Sequence, residues 1–159
     1  MKIVRRTLTL FFVLVLFICQ IVPVHAENNE SEWFPMVEEN YEDFNESTSE
    51  IEPYTMYLMN VHTYLSKLSS NKLGLRADVF CSSTVKTIQI TFYLQKQYGT
   101  TWKNVSSGVA SASNVSTTVK QMTVSSLTSG VYRAKTVTMV VDSLGYAEAV
   151  TSYSGALRI

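Results

Sequence analysis

The sequence holds few of the side chains that usually carry catalysis or bind metals. It has two cysteines and two histidines, and only Cys81 and His62 follow the leader predicted over residues 1–26. A lone cysteine cannot form an internal disulfide, and no C-x-x-C, H-x-x-x-H or D-x-D-x-D pattern is present. A Cys81–His62 dyad is conceivable, although a lone histidine on a strand is more often a surface or packed residue. The sequence therefore predicts no cofactor and no metal.

Carboxylates are also scarce beyond the first third of the chain. Residues 53–159 contain only Asp78, Asp142 and Glu148. Asp142 is expected to form a turn, and the other two are expected to lie outward in solvent. Glycoside hydrolysis needs two carboxyl groups about 5 to 9.5 Å apart, and nothing in the pattern pairs these residues. We therefore expect that the protein is not an enzyme, and we keep a hydrolase only as the last of three hypotheses about its function.

The N-terminus has the features of a secretory signal peptide. Basic residues precede an apolar run over 8–22, and Val24-His25-Ala26 presents a permissible residue at −3 and a small one at −1. The run is shorter than the roughly 20 residues that a spanning helix needs. We expect cleavage after Ala26 and a secreted, extracellular protein, which meets the membrane only through its signal peptide. A retained anchor is the alternative.

Charge is divided unevenly along the chain. Residues 27–52 hold ten acidic residues and no Lys or Arg, whereas 53–159 hold ten Lys or Arg against three acids, a net of +7. Self-repulsion and little apolar area predict that 27–52 is a disordered acidic segment. The alternative is that its aromatic residues dock on the basic domain, steered there by opposite charge.

Residues 53–159 show the period-two alternation of half-buried antiparallel strands. The pattern is clearest over 73–81, where Cys81 falls on the apolar face and should be buried and inert, and over 86–97. Further strands are predicted at 54–68, 102–105, 117–125 (with a bulge), 131–141 and 147–159. Ser, Gly and Ala dominate 106–114, which predicts an exposed loop. Six or seven strands without a helix indicate an all-β fold, a single antiparallel sandwich.

The stretch Ser129-Gly130-Val131-Tyr132-Arg133-Ala134 resembles the sixth strand of an immunoglobulin-like domain. The pattern there is small-Gly-x-Tyr-x-Cys, with a tyrosine hydroxyl bonded to nearby backbone and a cysteine bridged to the second strand. The resemblance implies that Tyr132 fixes a corner between two sheets. It also implies an immunoglobulin-like sandwich without the inter-sheet disulfide, in which Ala134 faces the strand of Cys81.

The block from Leu73 to Ile159 also resembles small secreted proteins of Gram-positive, Clostridia-type bacteria. The features that carry this likeness are Ile88-x-Ile90, Tyr93-Leu94-Gln95-Lys96, Trp102 after a turn, Gly130-x-Tyr132-Arg133 and a Ser-rich final strand. That family has no assigned function, so the resemblance implies secretion and a β-domain only.

Binding is expected on an outward sheet face. The strands over 86–97 and 131–141 should be neighbours, which would place Tyr93 and Gln95 beside Arg133 and Lys135, and Tyr and Arg are common interface anchors. We expect a secreted binding module whose partner is an unknown protein or an anionic cell-envelope polymer, not nucleic acid. The alternative is a secreted effector or toxin-like protein masked by its acidic N-terminal segment.

Overall fold

The structure is a computed structural model that describes residues 32–41, 48–51 and 56–159. The predicted signal peptide, and residues 42–47 and 52–55, lie outside the described residues. Within the described ranges, no helix combines the length and apolar character that crossing a membrane requires.

The described residues form strands and no helix. The strands are β1 (Met36–Glu38), β2 (Thr48–Ile51), β3 (Leu58–Ser69), β4 (Lys72–Tyr98), β5 (Thr101–Val124), β6 (Val131–Val141), β7 (Ala147–Tyr153) and β8 (Leu157–Arg158). They pair in the order β1-β5-β4-β3-β2. Strand β6 also pairs with β4, and β7 and β8 both pair with β6. Every pairing is antiparallel. The predicted all-β antiparallel fold is confirmed.

Strands β4 and β5 are much longer than the sequence pattern predicted. The segments 73–81 and 86–97 belong to one strand, β4. The loop predicted over 106–114 is wrong, because these residues lie inside β5 and pair with β4 from Tyr93↔Ser107 to Thr87↔Ser113. Ladder hydrogen bonds come from the backbone, so a run of small side chains can pair as well as any other.

An irregularity divides the long β4–β5 ladder into two parts. Between Phe80↔Thr117 and Val85↔Val115 the register shifts, since β4 contributes more residues than β5. Asn114 beside it has a φ of 57°, the left-handed conformation that asparagine tolerates. The bulge predicted within 117–125 is not found there, because Thr117 to Val124 pair with β4 without a shift and the irregularity lies just before Thr117. One part of the ladder continues into β3, and the other part continues into β6.

These two parts, which we call the β3 half and the β6 half of the sheet, contact each other through β3, β6 and β7. The hydroxyl oxygens of Thr63 on β3 and Thr136 on β6 lie 2.6 Å apart, and Ser152 on β7 donates to the carbonyl of Val61 over 3.4 Å. The predicted inward face of β6 is buried as expected: Tyr132, Ala134, Thr136, Thr138 and Val140. The buried apolar side chains of both halves belong to one core cluster.

Part of the acidic segment belongs to this fold, so the prediction of disorder over 27–52 is wrong for residues 32–41. Met36–Glu38 pair with Val124–Met122, and the Phe34 amide donates to the Val105 carbonyl over 2.8 Å. Phe34 is only 8% exposed. The segment folds because Phe34 is buried and Met36 packs against the core, and because lysines distant in sequence neutralise its glutamates. This agrees with the docked alternative.

Candidate functional site

The sheet brings the four predicted face residues together. Strands β4 and β6 are neighbours, with Tyr93 directly opposite Lys135 and Gln95 directly opposite Arg133. Directly opposite residues in an antiparallel pair have Cβ atoms about 4.5–5.5 Å apart, so each pair is in side-chain contact range. The predicted adjacency of these strands is correct.

Arg133 is held between two aromatic rings. Its guanidinium carbon lies 4.4 Å from the ring centre of Trp102 and 4.6 Å from that of Tyr153. Arginine is attracted to ring faces at such distances because the π-system is negative there. We call Tyr93, Gln95, Trp102, Arg133, Lys135 and Tyr153 the β4–β6 face.

A hydrogen-bonded chain fixes the same guanidinium from a third side. Nε of Arg133 donates to Oε1 of Gln95 over 2.8 Å, and Nε2 of Gln95 donates to Oδ1 of Asn104 over 2.8 Å. Gln95 was expected to point into solvent, but it is only 8% exposed because it lies between these two partners. A guanidinium carries five N–H donors. Only the Nε–H of Arg133 is hydrogen-bonded within the described part of the chain.

Two lysine ammonium groups lie over tyrosine rings. Nζ of Lys135 lies 5.4 Å from the ring centre of Tyr93, and Nζ of Lys103 lies 5.6 Å from that of Tyr98. The ion pairs of the described residues involve neither Arg133 nor Lys135. The β4–β6 face therefore presents net positive charge on an aromatic floor.

Two members of the face, Trp102 and Tyr153, were not placed beside Arg133 by the sequence pattern. Trp102 is opposite Gln97 in the β4–β5 hairpin, and Tyr153 is opposite Lys135 in the β6–β7 hairpin. Both register positions can be predicted once the turn residues of each hairpin are known, because the turn fixes the register. The turn at Tyr98-Gly99-Thr100-Thr101 is recognisable in the sequence, so the pairing of Trp102 with Gln97 could have been predicted.

Tyr132 lies under the turn that precedes β6. Its side chain is fully buried, and its hydroxyl donates to the carbonyl of Thr128 over 2.7 Å. Nζ of Lys96 lies 5.6 Å from its ring centre. The hydroxyl thus ties the first inward residue of β6 to the turn before it.

Cys81 and Ala134 are not brought together as the immunoglobulin resemblance implied. Ala134 is opposite Leu94, and its backbone exchanges hydrogen bonds with Ser154. Cys81 is opposite Leu58, whose amide donates to Glu148 over 3.2 Å, and the register partner of Glu148 is Val140. Val140 is six residues from Ala134 along β6, roughly 20 Å at about 3.3 Å per residue. Cys81, on β4, is therefore connected to the Val140 end of β6, whereas Ala134 lies near the other end of that strand.

Cys81 and His62 do line one open depression of about 540 Å³, together with Phe80. Burial, and secondarily the charge of Glu148, raises the pKa of the Cys81 thiol. The thiolate is the nucleophilic form of cysteine, so this environment opposes nucleophilic chemistry. The His62 ring stacks on Tyr64 at 6.1 Å between ring centres.

The three domain carboxylates hold structure together. Asp78 was expected in solvent, yet it is only 8% exposed and receives two bonds from Arg76, of 2.5 and 2.7 Å. Glu148 was also expected in solvent, but it accepts backbone N–H bonds from residues 56, 57 and 58.

Asp142 forms a turn as predicted. Its carboxylate accepts the Leu144 and Tyr146 amides over 2.9 and 2.8 Å, as well as the Tyr57 hydroxyl over 2.8 Å. Burial opposes its ionisation, but these bonds outweigh that effect and lower the pKa of Asp142. Across the described ranges, no three His, Cys, Asp or Glu side chains converge in a way that could hold a metal ion.

In comparisons with known proteins, no family model and no curated protein matches the chain.

Proposed function

We propose that this protein is a secreted, non-enzymatic binding module that recognises an anionic partner through the β4–β6 face. The partner is an acidic protein surface or an anionic cell-envelope polymer. The observation that carries the proposal is Arg133, which is oriented by two aromatic rings and by Gln95 while its terminal N–H groups remain without a hydrogen-bond partner in the described residues.

Arginine binds carboxylate or phosphate through two parallel N–H···O bonds, a geometry that a lysine cannot reproduce. A guanidinium that is already fixed loses little freedom when it binds, which favours affinity. Lys135, on the same face, adds a second charge at a register position next to Arg133. Rim charges of this kind speed association and make it sensitive to salt.

The finer fold belongs to the same proposal. We infer that the β3 and β6 halves form an immunoglobulin-like sandwich that presents the β4–β6 face outward. The contacts between Thr63 and Thr136 and the hydrogen bond of Tyr132 to Thr128 support this arrangement. The signal-peptide pattern of the first 26 residues supports export, and the Clostridia-type resemblance points the same way.

A second candidate function has a specific observation in its favour. The docking of residues 32–41 supports a secreted effector kept quiet by its acidic segment. The contacts of that segment lie along β5 and around Lys96, and none of those described involves Arg133 or Lys135. The described contacts of such a mask therefore lie at the edge of β5 and around Lys96, and not at Arg133 or Lys135.

The test is capture of partners by the exported protein from culture supernatant and cell envelope, at low and high salt. Arg133→Gln combined with Tyr93→Ser should weaken binding at least about tenfold, because it removes the charged fork and the floor beneath Lys135. Lys67→Gln, an equal charge change on an exposed residue of β3, is the matched control. Full binding by the double variant with unchanged circular dichroism would reject this face. Binding that is insensitive to salt would reject the electrostatic mechanism.

A further inference from the structure

The longest open edge of the described sheet belongs to β5. Strand β4 pairs with one side of β5 along most of its length, whereas on the other side β1 pairs only with Met122–Val124. The Phe34 amide adds one bond to the Val105 carbonyl on that second side. Within the described ranges, residues 106–121 therefore have no backbone partner on the side away from β4.

This edge lacks the features that normally keep strand edges apart. Residues 104–119 contain no charged residue and no proline, and the nearest charges are Lys103 and Lys120 at the two ends. Unpaired N–H and C=O groups recruit further strands, so natural sheets protect their edges with charges, proline, short strands or covering segments. The other outermost strands of the described sheet (β1, β2, β7 and β8) have only two to seven residues. The edge of β5 is therefore the unprotected one.

The regular part of this edge in the β6 half is 106–113. These residues pair with β4 without a shift, and the regular ladder ends where Asn114 takes its positive φ. At about 3.3 Å per residue the stretch spans roughly 26 Å, longer than a usual strand. Its side chains are small except for Val109, which is 58% exposed. An added strand would meet little steric obstruction here and would cover Val109.

Charge argues against an acidic occupant for this edge. Where the acidic segment of the chain meets the sheet, its glutamates pair with lysines, namely Lys72, Lys96 and Lys120. Residues 104–119 offer no lysine or arginine that could neutralise an acidic strand. The edge therefore fits a neutral strand with small side chains. The 106–113 stretch of a second copy has both properties.

A second copy also presents this strand already extended. In each copy β4 holds 106–113, from Leu94↔Ser106 to Thr87↔Ser113. A flexible peptide would lose about 1–2 kcal/mol of conformational entropy for each residue that it orders, whereas a strand that is already fixed avoids this cost. Two identical edges can pair antiparallel about a two-fold axis, and two-fold dimers are the commonest protein oligomers.

We propose that two copies of this chain pair antiparallel through β5, with the two-fold axis at Val109. In this register Val109 of each copy is directly opposite Val109 of the other, so the exposed apolar side chain is covered by its equivalent. Ser107 of each copy faces Ser111 of the other, and no lysine faces a lysine. The pairing involves neither Arg133 nor Lys135, so it goes beyond the proposed recognition of an anionic partner and is tested separately.

Analytical ultracentrifugation of the exported protein measures this pairing, with a reducing agent present to keep Cys81 a free thiol. We expect the mass to rise from one chain towards two as the protein concentration increases, as mass action requires. Val109→Lys places two like charges directly opposite each other, so it should raise the dimer dissociation constant at least about tenfold. Ala149→Lys makes the same charge change at an exposed position of β7, and this matched control should dimerise like the unmodified protein.

Disulfide formation tests the register. Directly opposite residues of an antiparallel pair have Cα atoms about 4.5–5.5 Å apart, within the range of a disulfide bond. With Cys81→Ala in both proteins, Val109→Cys should form a linked dimer under mild oxidation, and Ala149→Cys should give only background linkage. A mass of one chain at every concentration would reject the pairing, as would linkage at position 109 no better than at 149. Equal dimerisation of Val109→Lys and Ala149→Lys would also reject it.

Discussion

Replacing Tyr132 with Phe should destabilise the fold by about 1 kcal/mol. This value follows from the single hydrogen bond that the Tyr132 hydroxyl donates. The ring is fully buried, and Phe keeps it, so the packing is retained. The variant loses the 2.7 Å bond from the hydroxyl to the Thr128 carbonyl. Such a bond contributes about 0.5–1.5 kcal/mol net, and a stranded buried acceptor would cost about 1–3 kcal/mol. Thr128 is exposed, so water can satisfy its carbonyl and the lower range applies.

Urea unfolding followed by tryptophan fluorescence measures this change. The midpoint should fall while the slope stays constant, because the surface exposed on unfolding is the same. A loss of about 1 kcal/mol corresponds to a melting temperature lower by roughly 4 °C for a domain of about one hundred residues.

Tyr93→Phe is the matched control for Tyr132→Phe, because it removes a hydroxyl from the half-buried outer side of β4. Surface changes of this kind usually stay within about 0.5 kcal/mol. If Tyr132→Phe proves as stable as Tyr93→Phe, the hydroxyl does not secure the turn, and the account of the corner is wrong.

Two further predictions concern residues 32–41. Gly74→Ala would place a Cβ 2.7 Å from Cε1 of Tyr41, so it should displace that ring without altering charge. Amide hydrogen exchange at Met36–Glu38 should then be faster. Unchanged exchange would show that the ring can shift to make room for the new methyl group. Burial disfavours ionised Glu32, but bonds from Lys96 and its neighbours outweigh this and lower its pKa. The stabilisation by ionised Glu32 is therefore complete above the ordinary glutamate pKa of about 4.3 and is lost as the pH falls through the lowered pKa. Proteolysis of the segment should rise across that window. Glu32→Gln should remove the part of the pH dependence that Glu32 contributes, while Glu39, whose pKa is lowered by bonds from Lys72 and Thr123, keeps its own part.

The sequence was most informative where alternation was strict. The inward face of β6 followed from period-two patterning, because a buried face specifies register strongly. Its place beside β4 followed from the usual neighbourhood of the third and sixth strands in a sandwich. Arg76 and Asp78 also share a face of β4, since alternate strand residues point the same way. Their ion pair could have been predicted from that spacing alone.

The failures arose where the deciding partner is distant in sequence. Residues 106–114 resemble a loop in composition, yet their strand state depends on β4, which composition does not reveal. Residues 32–41 resemble a disordered tail until their charges are balanced by lysines from β4 and β5. The aromatic neighbours of Arg133 required two hairpin registers at once. Local pattern predicted the strands, and long-range pairing decided the surface.

The length of β4 and β5 has a consequence for cooperativity. Fully extended, the 27 residues of β4 would span about 90 Å, far more than a domain of this size, so the strand must serve both halves of the sheet. Strands β4 and β5 are shared, because each half contains one end of β4 and one end of β5. When one half unfolds, the other half therefore loses the continuation of both of these strands. We expect a single two-state transition, with no stable fragment that retains only half of the sheet.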